Sequence, residues 1–373
     1  MPPFRASLAL LCLVSSASAP LAAQAPGART QRLARVDSII KDYLRNGLVP
    51  SVAVAIVQRG DTLMLKGFGL ADRSANRAAG PATVYEIGSI TKQFTASGIL
   101  RLVEQGKVGL DDDVSRYVPS FPLQGHHVTV HQLLNHTSGI HNYTNEAFWA
   151  PHWAEDLSPD SILGFVAKDT FDFAPGTRHS YSNSGYLLLG MIIERVTGKP
   201  YAAFLGEQFF TPLKLRHTSY CPSHPADTSF ALGYTEQNGQ VVRAAYLSMT
   251  HPFAAGAICS TARDLAVWQA ALHGGRVLAP ASYARMIAPD VLPDGTRLHY
   301  GFGLGIEKMN GHPMIDHGGG INGFTTAAMY FPADVLNVVV LTNTDNSGNP
   351  TLLAGTIARA VLGLPLGGRL YDR

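Results

Sequence analysis

The chain has 373 residues, of which 46% are hydrophobic and 15% are charged, and its formal net charge at pH 7 is +2. This composition is that of a globular protein with a large core, and it excludes a long disordered tract. The basic residues form no cluster or stripe, so nucleic acid is not expected as the main partner.

The first residues predict an export signal. Arg5 precedes an apolar run over residues 6–14, and small residues follow over 15–23. This order is typical of a secretory signal peptide, and the run is too short to span a membrane. We therefore expect residues 1–23 to be removed, and the mature protein to be periplasmic or secreted without a transmembrane segment.

The two ends of the remaining chain each predict a helix and a pair of strands. The helix precedes the strands at the N-terminal end and follows them at the C-terminal end. Helical spacing of apolar residues over 31–46 ends at Gly47. The segments Ser51–Val57 and Thr62–Gly69, joined by turn residues, then predict a β-hairpin. Towards the other end, strands are predicted at Thr325–Phe331 and Asn337–Leu341, followed by a helix at Pro350–Leu362.

The middle of the chain predicts mostly helices. Thr129 and Gln132 form a capping-box pattern, Pro159 follows a capping serine, and Gly198 closes a helix. Helices are predicted over 90–106, 130–135, 159–168, 184–197 and 200–209. We therefore expect a sheet subdomain at about 31–88 and 255–362, a helical subdomain at about 89–254, and a ligand cleft between them.

Ser89 and Lys92 form a Ser-x-x-Lys pattern at the start of the first central helix. Residues three apart share one helix face, with about 5–6 Å between their Cβ atoms, so the lysine reaches the serine hydroxyl. Free N–H groups at a helix start are able to receive a developing oxyanion. Ser–Lys pairs carry out acyl transfer, although the pattern also fits a capping serine followed by a solvated lysine.

Tyr181 and Asn183 lie just before the predicted helix over 184–197. Two residues apart on an extended segment, their side chains point the same way. Tyrosine is able to act as base or proton shuttle where a cation lowers its pKa, and the amide suits both a substrate carbonyl and a lysine. The alternative interpretation is a helix start at which Ser and Asn serve as caps.

His317 is followed by three glycines, 318–320, in a strand-like segment. Glycine weakens a strand unless something must approach its backbone closely, and an acyl substrate lying along this edge would do so. The N–H groups of Gly320 and Ser89 then predict a two-donor oxyanion hole. His317 would supply a positive or hydrogen-bonding group, and the alternative is a glycine-rich loop without a role.

The remaining sequence features indicate no catalytic role. The segment Leu133–Ile140 is interpreted as a helix end and tight turn that shapes the cleft wall. Five histidines lie close together in the sequence, but their spacing suits no common set of metal ligands and the chain contains no His-Glu-x-x-His motif. These histidines are His126, His127, His131, His136 and His141. The chain also lacks the Gly-x-Ser-x-Gly motif of α/β-hydrolases. Cys221 and Cys259 are able to pair in an oxidising compartment, but the sequence leaves this open because their Cα separation is unknown.

Taken in order, these motifs resemble those of the serine β-lactamase and penicillin-binding family. The likeness is greatest to the branch of class C β-lactamases, DD-carboxypeptidases and related esterases, and it covers roughly residues 31–362. Ser89-x-x-Lys92 matches the first motif and Tyr181-x-Asn183 the second, while His317-Gly318-Gly319 takes the place of Lys-Thr-Gly. Supporting likenesses lie at 136–139, 260–264 and 300–305.

The resemblance implies an α/β (α+β) fold of the β-lactamase/transpeptidase type and an acyl-enzyme mechanism without a metal or organic cofactor. In that mechanism Ser89 attacks a carbonyl, and Lys92 and Tyr181 share the work of general base and proton shuttle. The implied substrate-binding residues are Asn183, His317 and Gly319, and the implied oxyanion donors are the N–H groups of Ser89 and Gly320.

The expected substrates are D-amino-acid peptides, as for a DD-carboxypeptidase, or esters. The alternatives are a β-lactamase or small-ester esterase, and a non-catalytic protein that binds penicillin or peptidoglycan. Histidine at position 317 is mostly neutral at pH 7, and the next residue lacks a hydroxyl. This departure from Lys-Thr-Gly weakens the expectation of carboxylate recognition and of efficient β-lactam hydrolysis.

Overall fold

A computed structural model describes residues 26–146, 149–167, 170–223 and 227–372. The predicted export signal at residues 1–23 lies outside the described residues. Within these ranges, no helix has the combination of length and apolar character that crossing a bilayer requires.

Helices and strands follow one another along the described chain. The helices are Pro26–Asn46 (α1), Thr91–Glu104 (α2), Val130–Leu134 (α3), Pro159–Gly164 (α4), Asn183–Thr197 (α5), Tyr201–Leu205 (α6), Phe253–Gly256 (α7), Ala262–His273 (α8), Pro280–Met286 (α9) and Pro350–Leu362 (α10). The strands are Ser51–Gln58 (β1), Asp61–Asp72 (β2), Arg77–Ala78 (β3), Tyr85–Glu86 (β4), Ser219–Tyr220 (β5), Tyr234–Gln237 (β6), Gln240–Arg243 (β7), Ile258–Ser260 (β8), Gly305–Met309 (β9), His312–Ile321 (β10), Phe324–Phe331 (β11) and Leu336–Thr342 (β12).

The main sheet joins the two ends of the chain. In the described ranges, seven antiparallel strands form it in the order β3-β2-β1-β12-β11-β10-β9. β1 and β12 pair at its centre, where Val54 lies opposite Val340. The four strands predicted from the sequence are confirmed within this sheet. β9 was not predicted, because its residues give no clear alternation of apolar and polar side chains.

The sheet is buried on both faces. Successive residues of a strand point to opposite faces, and on β1 Val52, Val54 and Ile56 pack in a core with residues of α1 and α10. Ala53 and Ala55 belong to the other core, which includes the central helices. The expected architecture is confirmed: an antiparallel sheet is flanked by the terminal helices, and mostly helical structure occupies the middle of the chain.

Capping residues set the ends of several central helices as predicted. Thr129 and Gln132 complete a capping box at α3, and Gly198 ends α5 in the left-handed conformation. α4 and α6 are shorter than predicted. α4 ends at Gly164, and α6 gives way at Gly206 to a π-helical turn, since glycine is a poor helix former.

A disulfide joins Cys221 to Cys259, with 5.0 Å between the two Cα atoms. It ties β8 to the segment that follows β5. The sequence left this pairing open, and only the tertiary structure shows that the two residues lie within bonding distance.

Candidate active site

Ser89 lies in a short 3-10 turn, Gly88–Ile90, that leads directly into α2. Lys92 follows in the first turn of α2, and its side chain is fully buried. The Nζ atom of Lys92 lies 3.1 Å from the Oγ atom of Ser89. The expected contact between the serine and the lysine is therefore present in the structure.

The amine of Lys92 has two further partners. Its Nζ atom lies 2.8 Å from Oδ1 of Asn183 and 2.8 Å from the carbonyl oxygen of Ala255. Burial lowers the pKa of this amine well below its usual value, which favours the neutral form. The amine is thus held by two carbonyl oxygens, and its third contact is with Oγ of Ser89.

Tyr181 closes over this pair from the segment before α5. The Nζ atom of Lys92 lies 4.7 Å from the centroid of the Tyr181 ring. The residue as a whole is 36% exposed. Burial of the hydroxyl raises the pKa of Tyr181, and its interaction with Ser89 opposes this rise. The phenol therefore keeps its proton at neutral pH.

Asn183 is the first residue of α5 and is held from two sides. Its backbone N–H donates to Oδ1 of Asn142, and its side-chain N–H donates to the Thr144 hydroxyl. These contacts turn the amide oxygen towards Lys92. The loop after α3 thereby orients a residue that contacts the lysine.

β10 passes directly against the turn that carries Ser89. A Cβ atom on Gly319 would lie 2.0 Å from the carbonyl oxygen of Ile87, and one on Gly88 would lie 2.9 Å from the backbone nitrogen of Gly320. Both positions therefore require glycine, and Gly88 also has a φ of +51°. Gly319 packs against the backbone of Ile87, whereas Gly320 lines the pocket beside Ser89.

His317 is held as a neutral hydrogen-bonding group. Its Nδ1–H donates to the carbonyl oxygen of Gly318 at 2.6 Å, and its Nε2 accepts from the Tyr300 hydroxyl at 2.8 Å. Burial, together with the nearby Lys92, lowers the pKa of His317 to about 4. The residue therefore supplies no positive charge near neutral pH, although its ring lies 6.2 Å from that of Tyr181.

His136 is a site residue that the sequence did not reveal. It follows α3 with a φ of +61°, and its buried ring lies 4.3 Å from the ring of Tyr181 and 4.9 Å from that of Tyr300. Its Nδ1 accepts from the backbone N–H of Ser182, so it fixes the backbone between Tyr181 and Asn183. The only sequence signal is the resemblance of 136–139 and 300–305 to family motifs, which carries no chemistry by itself.

Three neighbours of His136 in the sequence have carboxylate partners of their own. His127 contacts Asp113, His131 contacts Asp290, and His141 lies between two carboxylates. Among residues 26–146, 149–167, 170–223 and 227–372, no group of His, Cys, Asp and Glu side chains is arranged to hold a metal ion.

A pocket of about 210 Å³ opens beside Ser89. Part of its wall comes from Tyr143, Thr144 and Trp149, which follow α3, and from Leu247, which precedes α7. Side chains and backbone of the following residues line it: Ser89, Tyr143, Thr144, Trp149, Asn183, Leu247, Pro252, Ala255, Gly256, Gly320, Ile321 and Asn322. A small group that enters this pocket, which has both polar and apolar walls, lies beside Ser89.

The chain is similar to several known proteins. A D-aminopeptidase of Brucella abortus is 27% identical over 337 residues, which are 89% of this chain and 63% of the relative, so the chain spans just under two thirds of that protein. An octameric penicillin-binding protein homologue from Pyrococcus abyssi is 28% identical, with a TM-score of 0.78 over 90% of this chain and 78% of the homologue. A D-stereospecific amidohydrolase from Streptomyces is also 28% identical, with a TM-score of 0.78 over 89% of this chain and 99% of that protein.

The family itself is shown by a match to the family described as Beta-lactamase over residues 36–362. This range contains all the motifs that carry the resemblance, from Ser89 to Gly320. The resemblance and the fold inferred from those motifs are confirmed, and the chain belongs to the Beta-lactamase family.

Proposed function

We propose that the chain is a serine hydrolase that forms an acyl-enzyme on Ser89 and cleaves peptides, amides or esters of D-amino acids. The observation that carries this proposal is the 3.1 Å contact between the Ser89 hydroxyl and the buried amine of Lys92, whose pKa burial lowers well below its usual value. A nucleophile beside a base that a third group orients is the arrangement that acyl transfer requires. Asn183 is that third group here.

The reaction would proceed in two halves. Lys92 takes the proton of Ser89 as Oγ attacks the substrate carbonyl, and the N–H groups of Ser89 and Gly320 bind the resulting oxyanion. The proton then passes through Tyr181 to the leaving nitrogen or oxygen, the bond to the leaving group breaks, and Ser89 remains acylated. Water attacks this ester with the same groups in reversed roles, which releases the acid and restores Ser89.

The relatives favour D-amino-acid derivatives as substrates, because one is a D-aminopeptidase and another a D-stereospecific amidohydrolase. A β-lactamase is disfavoured, since His317 gives no positive charge for a substrate carboxylate. The second candidate function is hydrolysis of small neutral esters. The apolar pocket walls, which include Trp149 and Leu247, favour it.

We also propose that the protein acts outside the cytoplasm. The pattern over residues 1–23 supports export, and the Cys221–Cys259 disulfide suits an oxidising compartment. Mass spectrometry of the protein from culture medium or periplasm tests this. A mature chain that begins near Gln24 is expected, and an uncleaved chain confined to the cytoplasm would contradict the proposal.

The function is tested with Ser89→Ala and, as a matched control, Ser120→Ala, which removes an exposed hydroxyl. The substrates are D- and L-alanine p-nitroanilide, p-nitrophenyl acetate and butyrate, a D-Ala-D-Ala peptide and nitrocefin. We expect turnover that depends on Ser89 and prefers the D-anilide to the L-anilide. Activity retained by Ser89→Ala would exclude this nucleophile, and turnover of the p-nitrophenyl esters alone would favour the esterase.

A further inference from the structure

A second cavity, of about 280 Å³, lies beside the catalytic pocket. Leu247 and Asn322 line both cavities, so the two adjoin. The side chain of Glu86 reaches this second cavity from β4, three residues before Ser89. Three residues span at most about 11 Å, which places the carboxyl within reach of a substrate bound at Ser89.

The walls of this cavity combine polar and apolar surface and are partly fixed. Phe324, Met249 and Leu232 contribute apolar surface, and Pro222 and Ser223 follow the disulfide-bonded Cys221 directly. Glu86 pairs with Cys259, the other half of that disulfide, in the ladder between β4 and β8. The disulfide therefore connects two sides of the cavity that Glu86 enters.

The carboxyl of Glu86 has no side-chain hydrogen bond or ion pair with any residue of the described ranges. Arg243 and Tyr246 are the other titratable side chains that line the cavity. Arg243 is exposed; its guanidinium donates to the carbonyl oxygen of Gly233 at 2.9 Å and lies 5.4 Å from the ring centroid of Tyr234. The charge of Arg243 thus lies at the rim and leaves Glu86 unpaired.

Burial raises the pKa of Glu86 to about 8, and the charge of Arg243 opposes that rise. The side chain of Glu86 is half-buried. A carboxyl that lines a cavity without donors ionises less readily than one in water, and a bound cation with N–H groups stabilises its ionised form. A primary ammonium group provides both the charge and the three N–H donors. Its aliphatic attachment would lie against the apolar walls.

We propose that this cavity is a subsite for a primary ammonium group on the acyl part of the substrate, with Glu86 as its counter-ion. The proposal rests on the proposed function, because the ammonium is recognised while the substrate carbonyl lies at Ser89. It makes Glu86 a specificity-determining residue for amine-bearing acyl groups.

The test compares four p-nitroanilides with acyl chains of similar length: hexanoyl, 6-hydroxyhexanoyl, 6-aminohexanoyl and 5-carboxypentanoyl. We expect wild-type kcat/KM for the amino substrate to exceed that for the hydroxy substrate by about tenfold or more, as for hydrogen bonds to charged groups. Glu86→Gln should reduce this ratio to near one. Glu207→Gln, which removes an exposed carboxylate elsewhere, should leave the ratio unchanged.

A second test measures how the amino-to-hydroxy ratio of kcat/KM depends on pH in the wild-type enzyme alone. Glu86 ionises as the pH rises towards 8.5, while an alkyl ammonium with a pKa near 10.4 stays charged. The amino-to-hydroxy ratio in the wild-type enzyme should therefore rise between pH 6.5 and 8.5, and effects on Ser89 and Lys92 cancel because both substrates share them.

Three results would overturn the subsite. These are an amino-to-hydroxy ratio near one in the wild-type enzyme, an unchanged ratio in Glu86→Gln, and a preference for the carboxylate substrate, which would assign recognition to Arg243. Failure of the proposed function is separate, since it would appear as hexanoyl anilide turnover that does not depend on Ser89.

Discussion

The side-chain oxygen of Asn183 lies 2.8 Å from the amine of Lys92. This contact links the second motif of the chain to the first across 91 residues. It also fixes the position of the lysine amine beside Ser89, because Asn183 and the carbonyl of Ala255 both accept hydrogen bonds from it. The side chain that orients the base is therefore itself oriented by Asn142 and Thr144.

This relationship predicts the effect of Asn183→Asp on the pH dependence of activity. A carboxylate beside Lys92 favours the charged ammonium, so it raises the pKa of the lysine. Since the neutral amine is the base, kcat/KM should rise only at higher pH than in the wild-type enzyme. A pH profile of kcat/KM from 5 to 10 measures this shift, with Asn145→Asp as a nearby control. An acid limb that stays in place would show that Lys92 is not the titrating base.

Substitution of His136 should reduce activity, although this residue is not expected to contact the substrate. His136→Phe keeps a ring against Tyr181 but removes the acceptor for the N–H of Ser182. An unpaired buried donor costs about 1–3 kcal/mol, and the backbone that carries Tyr181 and Asn183 should shift to relieve it. We expect kcat to fall about tenfold, with a smaller change in KM.

The matched control is His126→Phe, which changes an exposed histidine that packs against Phe171. Steady-state kinetics and thermal unfolding are measured for both variants. A His136→Phe enzyme with wild-type kcat and lowered stability would show that the residue serves only the fold.

Buried histidines predict a loss of stability in mild acid. Burial lowers the pKa of His273 to about 3 and that of His317 to about 4, and it lowers the pKa of His136 well below its usual value. The unfolded chain binds these protons near pH 6.5. Stability should therefore fall as the pH drops from 6.5 towards 4, by up to about 1.4 kcal/mol per pH unit for each histidine.

His273→Gln tests this without touching the catalytic pocket, because His273 packs against Tyr330 on β11. Urea unfolding at pH 6.5, 5.5 and 4.5 gives the free energy of unfolding for each protein. The variant should show a shallower pH dependence than the wild-type enzyme. Equal slopes would mean that His273 binds protons equally in the folded and unfolded states, so that its pKa is not lowered by folding.

The Cys221–Cys259 disulfide predicts a stability that depends on redox conditions. The bond closes a loop with a sequence separation of 38 residues, and cross-links of this kind contribute about 2–4 kcal/mol. A double Cys221→Ser, Cys259→Ser variant should unfold at a lower temperature than the wild-type protein. Adding a reductant should lower the Tm of the wild-type protein but not that of the variant, and equal effects on both would contradict the prediction.

The local parts of this site were readable from the sequence because they depend on short-range geometry. Ser89 and Lys92 are three residues apart on one helix face, and Tyr181 and Asn183 flank a helix start, so spacing alone predicts each pair. The alternation of valine with alanine in β1 and the strongly apolar run in β12 likewise predicted buried strands, because a strand that is covered on both faces carries apolar residues at successive positions.

Only the tertiary structure decided how these parts meet. It brought Lys92 to Asn183, placed His136 beneath Tyr181, and set His317 against Tyr300 as a neutral partner. It also joined Cys221 to Cys259 and left Glu86 unpaired in a cavity. These outcomes depend on contacts between residues far apart in the chain and on burial, which shifts a pKa only once the surrounding elements have excluded water.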